Sequence, residues 1–178
     1  EPLIRAALEA IEMDLNSNYD AERQVEYDNR SYCPDLKGTP PIMNLLLQSP
    51  VHDLLDEIFE ADKIGWDGGQ IAIRRAHNVP EPVPPTPHLD GFASGANGLD
   101  EGKIYNHTVL VGVFLTPVRS EFAGNFTVWP GSHNVYEKYF RERGPRAMSE
   151  PPPTPEIGAP VQLMCGVGDV VLAHYQLG

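Results

Sequence analysis

The sequence predicts an α+β chain, with helices first and a small antiparallel barrel or jelly roll after them. Three observations point there. Apolar residues recur at helical spacing through the first third, short β-branched runs fill the remainder, and 18 prolines and 16 glycines punctuate the 178 residues. Such punctuation favours many short strands joined by turns over a helical bundle. The length suits one domain with a sizeable core, mainly helical over residues 1–66 and barrel over 67–178.

Taken in order, Ile4, Leu8, Ile11 and Leu15 predict a helix over 2–15, with Pro2 suited to its first turn. Residues 16–34 are polar, carry tyrosines and show no clear period. Pro41–Gln48 is a short apolar helix, and Ser49-Pro50 opens another, with Ser49 as cap. Val51, Leu54, Leu55, Ile58 and Phe59 give that helix an apolar stripe ending near 62–65. At Gly68-Gly69 the pattern changes. Gln70–Arg75 alternates and reads as a strand. The proline-rich stretch 79–87 is a stiff, extended lead-in, and the glycine-rich loop 91–103 is a candidate lid. His107–Thr116, Phe126–Trp129, Pro160–Met164 and Asp169–His174 read as strands, Asn134–Arg143 as a helix and Pro151–Pro155 as a second stiff loop.

The net charge of −12 argues against nucleic acid and anionic membranes as partners. No apolar run approaches the roughly 18 residues of a membrane span, and no signal-peptide pattern opens the chain. Two cysteines, Cys33 and Cys165, make no disulfide framework. They are expected to be free thiols in a reducing, cytoplasmic compartment.

Thr86-Pro87-His88-Leu89-Asp90-Gly91 carries the chemistry. In an extended chain residues i and i+2 project from one face, so His88 and Asp90 can aim an imidazole and a carboxylate at one point. A distant His174 stands in an apolar strand. His-X-Asp with a distal His is the ligand set of non-haem Fe(II) oxygenases, which binds one face of the ion and leaves the other open. A structural zinc site would close its shell with four protein ligands, and neither cysteine has ligand spacing. On these residues alone, a loop histidine, a turn-forming Asp90 before Gly91 and a core His174 remain open alternatives.

Two further stretches carry a resemblance. Gly124–His133 reads Gly-Asn-Phe-Thr-Val-Trp-Pro-Gly-Ser-His, and Gly168-Asp169-Val170-Val171-Leu172-Ala173-His174 leads to the distal histidine. With His88-Leu89-Asp90, in this order, they resemble the phytanoyl-CoA dioxygenase family over residues 68–178. The resemblance implies a double-stranded β-helix (a jelly-roll, cupin-like core) and Fe(II) held by His88, Asp90 and His174. It also implies 2-oxoglutarate and O2 as co-substrates, with decarboxylation to succinate and CO2 coupled to hydroxylation of a small molecule. Asp90, present as a ligand, points to hydroxylation rather than halogenation. The family's 2-oxoglutarate-anchoring arginine lies about ten residues past the distal His, beyond Gly178, so the last strand is expected outside this sequence. Within it, Gln70 and Arg74 on one strand face, and Gln176 two residues past His174, are the candidate co-substrate contacts.

His107 reads as a strand-end surface residue or a pocket wall, and His133 as a scaffold residue bonding the backbone at its turn. Trp66 and Trp129 read as core or pocket wall. Two other functions stay open: a cupin-like metalloenzyme not using 2-oxoglutarate, with extra ligands from His107 or His133, and a catalytically silent jelly-roll binding protein.

Overall fold

A computed structural model describes residues 1–59, 65, 68–74, 81–91, 107–144, 147 and 156–177. Helices and small antiparallel sheets make the chain α+β. It divides into two compact units, Glu1–Ile73 and Arg74–Gly178.

The N-terminal unit is helical because its apolar residues keep the 3.6-residue period. Helix α1 (Pro2–Asn18) starts on Pro2 and buries Ala7 and Ile11. It packs on α3 (Pro40–Leu47), which packs on α4 (Pro50–Ile58). The Ser49 hydroxyl accepts the Val51 N–H at 3.3 Å, so the serine caps α4 as its sequence predicts. Residues 16–34, which lack a period, are organised by tyrosines instead. Between α1 and α3 lie α2 (Gln24–Asn29) and single 3-10 turns at Ala21–Arg23 and Pro34–Leu36. The buried rings of Tyr27 and Tyr32 stand 5.5 Å apart, and Tyr32 donates to Asp28 at 2.7 Å.

The strand expected over Gln70–Arg75 is reduced, among its described residues, to one antiparallel bridge between Ile71 and Tyr32. Ile71 is buried and Ile73 half-buried while Gln70, Ala72 and Arg74 are exposed, so the alternation is real. The ladder stops because its partner stretch ends: Cys33 turns to φ 45° and Pro34 has no N–H to donate. Both cysteines are free. Burial, with help from Asp14, pushes the Cys33 thiol up to about 12, so it sits in the core as a neutral thiol.

In the C-terminal unit, β1 (Val109–Val113) pairs antiparallel with β4 (Val170–His174), in a register that sets Val109 opposite His174 and Val113 opposite Val170. Strand β2 (Thr127–Val128) pairs with β3 (Val161–Gln162). Helix α5 (Ser132–Arg143) follows β2, as expected from 134–143. Each strand lies where the alternation places it but is shorter than predicted, although single backbone bonds such as Leu163 N–H to the Phe126 carbonyl continue the pairing past its ends. The described strands thus form two pairs rather than the full sheets of a jelly roll. No helix among the described residues is long and apolar enough to cross a membrane. Residues 92–103 of the expected lid, the loop 151–155, Trp66 and His77 lie outside the described residues.

The entry to β4 is built by Gly166–Asp169. The Asp169 carboxylate accepts the Gly166 N–H at 2.7 Å, and Gly168 donates to the Phe114 carbonyl at 2.7 Å from a φ of +85°. A Cβ at Gly168 would meet nothing within 4 Å, so only backbone strain opposes a side chain there. Gly168→Ala is therefore expected to lower the unfolding free energy by about 1–2 kcal/mol, and Gly168→Asn by less, because asparagine tolerates the left-handed region. Urea denaturation of the two variants measures both.

Candidate functional site

His88 and Asp90 are held by the residue between them. Leu89 is only 5% exposed and packs on Tyr136 and Phe140 of α5. Its burial turns the flanking side chains outward together, the i, i+2 geometry the sequence predicts, although the segment runs without strand pairing and turns at Asp90-Gly91. His88 Nε2 lies 3.3 Å from Asp90 Oδ1. Asp90, as hydrogen-bond partner, raises the His88 pKa above its ordinary 6.5, against partial burial and the nearby charge of Arg74. His88 in turn holds the Asp90 carboxyl below its ordinary 3.8, and His107 adds to that.

Arg74 is exposed, beside the glycine that opens the Gly124–His133 stretch. Gly124 adopts φ +81°, and a Cβ there would stand 2.6 Å from the Arg74 Cβ, so the backbone passes Arg74 only without a side chain. Asn125 pins the same loop, donating to the Leu163 carbonyl at 2.9 Å and accepting from the Ala123 N–H at 2.9 Å.

His174 ends β4 and is exposed. Its Nδ1 accepts the Gln176 backbone N–H at 3.2 Å. Its ring centroid is 5.1 Å from that of Tyr175 and 6.3 Å from that of His133. A turn at Tyr175-Gln176 ends the strand alternation, so Gln176 does not share the face of His174 as expected. Gln176 is 8% exposed, its side-chain amide donates to the Tyr175 hydroxyl at 2.7 Å, and its carbonyl accepts from the buried Ser132 hydroxyl at 2.8 Å. Ser132, rather than the exposed His133, therefore makes the backbone bond expected of this turn. The sequence offered one signal for it, a small hydroxyl beside a glycine in Pro-Gly-Ser-His. Gln70 belongs to the N-terminal unit, where its amide donates to the Arg30 carbonyl. Trp129 is core.

His107 is half-buried. Its Nε2 is buried and has no hydrogen-bond partner among the described residues. Its ring meets that of Tyr175 edge-on, with centroids 6.1 Å apart.

His88 and Asp90 form an imidazole–carboxylate ion pair. Two donors about 2.1 Å from one ion at right angles stand about 3 Å apart, close to the 3.3 Å between Nε2 and Oδ1. Among the described residues, no three His, Cys, Asp or Glu side chains gather as a ligand group. His174 is grouped with His133 and Tyr175 instead. A neutral imidazole whose Nδ1 accepts keeps its proton on Nε2, so His174 must exchange that hydrogen bond before Nε2 can offer a lone pair. Comparisons with protein-family models, with curated proteins and with solved structures give no match.

Two outcomes follow from this geometry. The His88–Asp90 pair is intact between the depressed pKa of Asp90 and the raised pKa of His88. The His88 contribution to stability is complete below 6.5 and is lost as pH rises through its folded pKa. The Asp90 contribution is present above 3.8 and is lost as pH falls through its folded pKa. In an NMR titration of the metal-free chain, the His88 midpoint should lie above 6.5 and fall in Asp90→Asn. Leu89→Ala should cost about 2–4 kcal/mol in denaturant unfolding and bring the His88 midpoint back towards its ordinary value as the pair loosens.

Proposed function

We propose that the protein is a non-haem Fe(II)/2-oxoglutarate-dependent dioxygenase on a jelly-roll core, hydroxylating a small molecule with release of succinate and CO2. The observation that carries it is the His88–Asp90 pair, an imidazole nitrogen and a carboxylate oxygen at nearly the separation of two neighbouring ligands. The β1–β4 register adds support. It sets His174 opposite Val109, two residues from His107, whose ring meets that of Tyr175 edge-on.

In this reading His88, Asp90 and His174 would hold Fe(II), which would supply the O2 activation coupled to 2-oxoglutarate decarboxylation. The overall balance is substrate C–H, 2-oxoglutarate and O2 to substrate C–OH, succinate and CO2. To hold an ion, His88 would give up the proton that Asp90 stabilises on it, and both side chains would turn from each other. His174 would have to release the Gln176 N–H from Nδ1 for its Nε2 to serve as a ligand. Arg74 offers a guanidinium for a co-substrate carboxylate. Leu89 keeps the first two donors together, and the Ser132–Gln176 bond steadies the turn after the third. The substrate is a small molecule reaching an exposed site.

The test measures succinate release with Fe(II) and 2-oxoglutarate, and Fe(II) affinity by calorimetry without oxygen. His88→Ala, Asp90→Ala and His174→Ala should each lose more affinity than the roughly 10–100-fold caused by removing a supporting hydrogen bond. His133→Ala should remain within that range. Fe(II) affinity unchanged in His88→Ala would sink the reading. A large loss in His133→Ala would favour the cupin-like ligand set.

A further inference from the structure

We propose that the N-terminal unit carries a second site, a cavity whose tyrosine wall binds the methylated ammonium group of a cationic ligand. Every residue lining it lies within Glu1–Ile73, and the inference is independent of the oxygenase reading.

The end of α1, the turn Ala21–Arg23, α2 and the turn Pro34–Leu36 surround a cavity of about 70 Å3. A water needs roughly 10–15 Å3 of such space, so there is room for a group of about five heavy atoms, the size of a quaternary ammonium. One wall is aromatic. Tyr19, Tyr27 and Tyr32 line it in a row, with ring centroids 5.7 and 5.5 Å apart and neighbouring planes tilted by 35° and 33°. The two outer rings are fixed before any ligand arrives. The Gln24 side-chain carbonyl accepts from the Tyr19 hydroxyl, and its amide donates to the Tyr32 hydroxyl and, at 2.9 Å, to Asp28. A wall already fixed loses little side-chain freedom on binding.

The electrostatics select a cation. Tyrosine ring faces are negative and attract positive charge close to the centroid. Tyr27 already holds such a charge, since the Arg23 Cζ lies 5.3 Å from its ring centroid. That guanidinium is half-exposed and paired with Glu26 at 3.0 Å. Its charge being offset there, the two carboxylates of the lining, Asp14 and Asp35, set the sign of the cavity. A metal ion fits poorly, because no three His, Cys, Asp or Glu side chains gather as a ligand group among the described residues. A methylated ammonium suits the lining better. Its methyl groups pack on the ring faces, and its diffuse, weakly hydrated charge needs no close oxygen ligands.

The test titrates the full chain with choline and with its uncharged carbon isostere, in which tert-butyl replaces trimethylammonium. Proton NMR follows the N-methyl signal, calorimetry gives the affinity and circular dichroism checks the folding of each variant. Choline should bind saturably, with a Kd of about 1 mM or tighter. Its N-methyl signal should move upfield, because ring faces shield it. The isostere should bind at least about tenfold more weakly, since it lacks the charge that the rings attract. Tyr27→Phe keeps the ring face and should stay within about threefold of wild type, while Tyr27→Leu should lose at least about fivefold. Arg23→Gln should bind more tightly, because no guanidinium then competes for the face of Tyr27. Trimethyllysine amide is titrated alongside choline. Whichever of the two binds more tightly identifies the source of the group, a modified side chain or a free metabolite, and either order supports the site.

No saturable binding, equal affinity for the isostere, or wild-type affinity in a folded Tyr27→Leu overturns the site and leaves the oxygenase reading standing. If Tyr27→Leu does not fold, Arg23→Gln and Asp14→Asn decide. Tighter binding in the first with weaker binding in the second supports the site, and any other result overturns it.

Discussion

The antiparallel pairing of β1 with β4 is the constraint on which the C-terminal unit depends. Its register puts Ala173 in the core and His174 outside it. A slip of one residue would exchange the two faces, burying an imidazole and exposing the alanine. Both ends of β4 are locked against such a slip. At the entry, Gly168 and Asp169 exchange backbone bonds with Phe114. At the exit, Ser132 holds the Gln176 carbonyl, and the Trp129 N–H donates to the Leu177 carbonyl at 3.2 Å.

The stretch Gly124–His133 earns a structural account from those locks. Its glycine admits the backbone beside Arg74, its asparagine ties the loop to Leu163, its tryptophan is core, and its serine reaches behind the distal histidine. A segment that looks chemical in the sequence thus works as a bracket. It steadies Arg74 and the turn after His174, the two regions flanking the functional candidates. Helix α5, which grows out of it, provides Tyr136 and Phe140 for Leu89. One stretch of chain therefore supports all three places at once.

The helices with a clean apolar period were legible in the sequence, and so were the cap at Ser49 and the outward pairing of His88 with Asp90. These depend on local geometry, which a sequence states directly. Residues 16–34 were not, because three tyrosines and their hydrogen bonds organise them and such contacts have no period. Strand lengths were overestimated for a related reason: alternation marks which residues face inward, whereas a ladder ends where its partner ends, as Cys33-Pro34 does to the strand at Ile71. Gln176 was misassigned to the face of His174 because a turn two residues long leaves no mark in Tyr-Gln-Leu. His107 was legible only as a histidine near a strand. What distinguishes it, a nitrogen enclosed without a partner, is a property of its surroundings and not of its type.

The site's polar atoms divide by what they do without a ligand. His88 and Asp90 satisfy each other, and His174 Nδ1 takes the Gln176 N–H. In the proposed reading, an ion held by these three would have to displace a proton and one hydrogen bond, so proton and metal would compete for the same donors. That competition keeps the donors paired when no ion is bound, and all three side chains are exposed enough for water to cover the exchange. His107 Nε2 has nothing to trade. It is enclosed beside the Tyr175 ring and has no hydrogen-bond partner among the described residues.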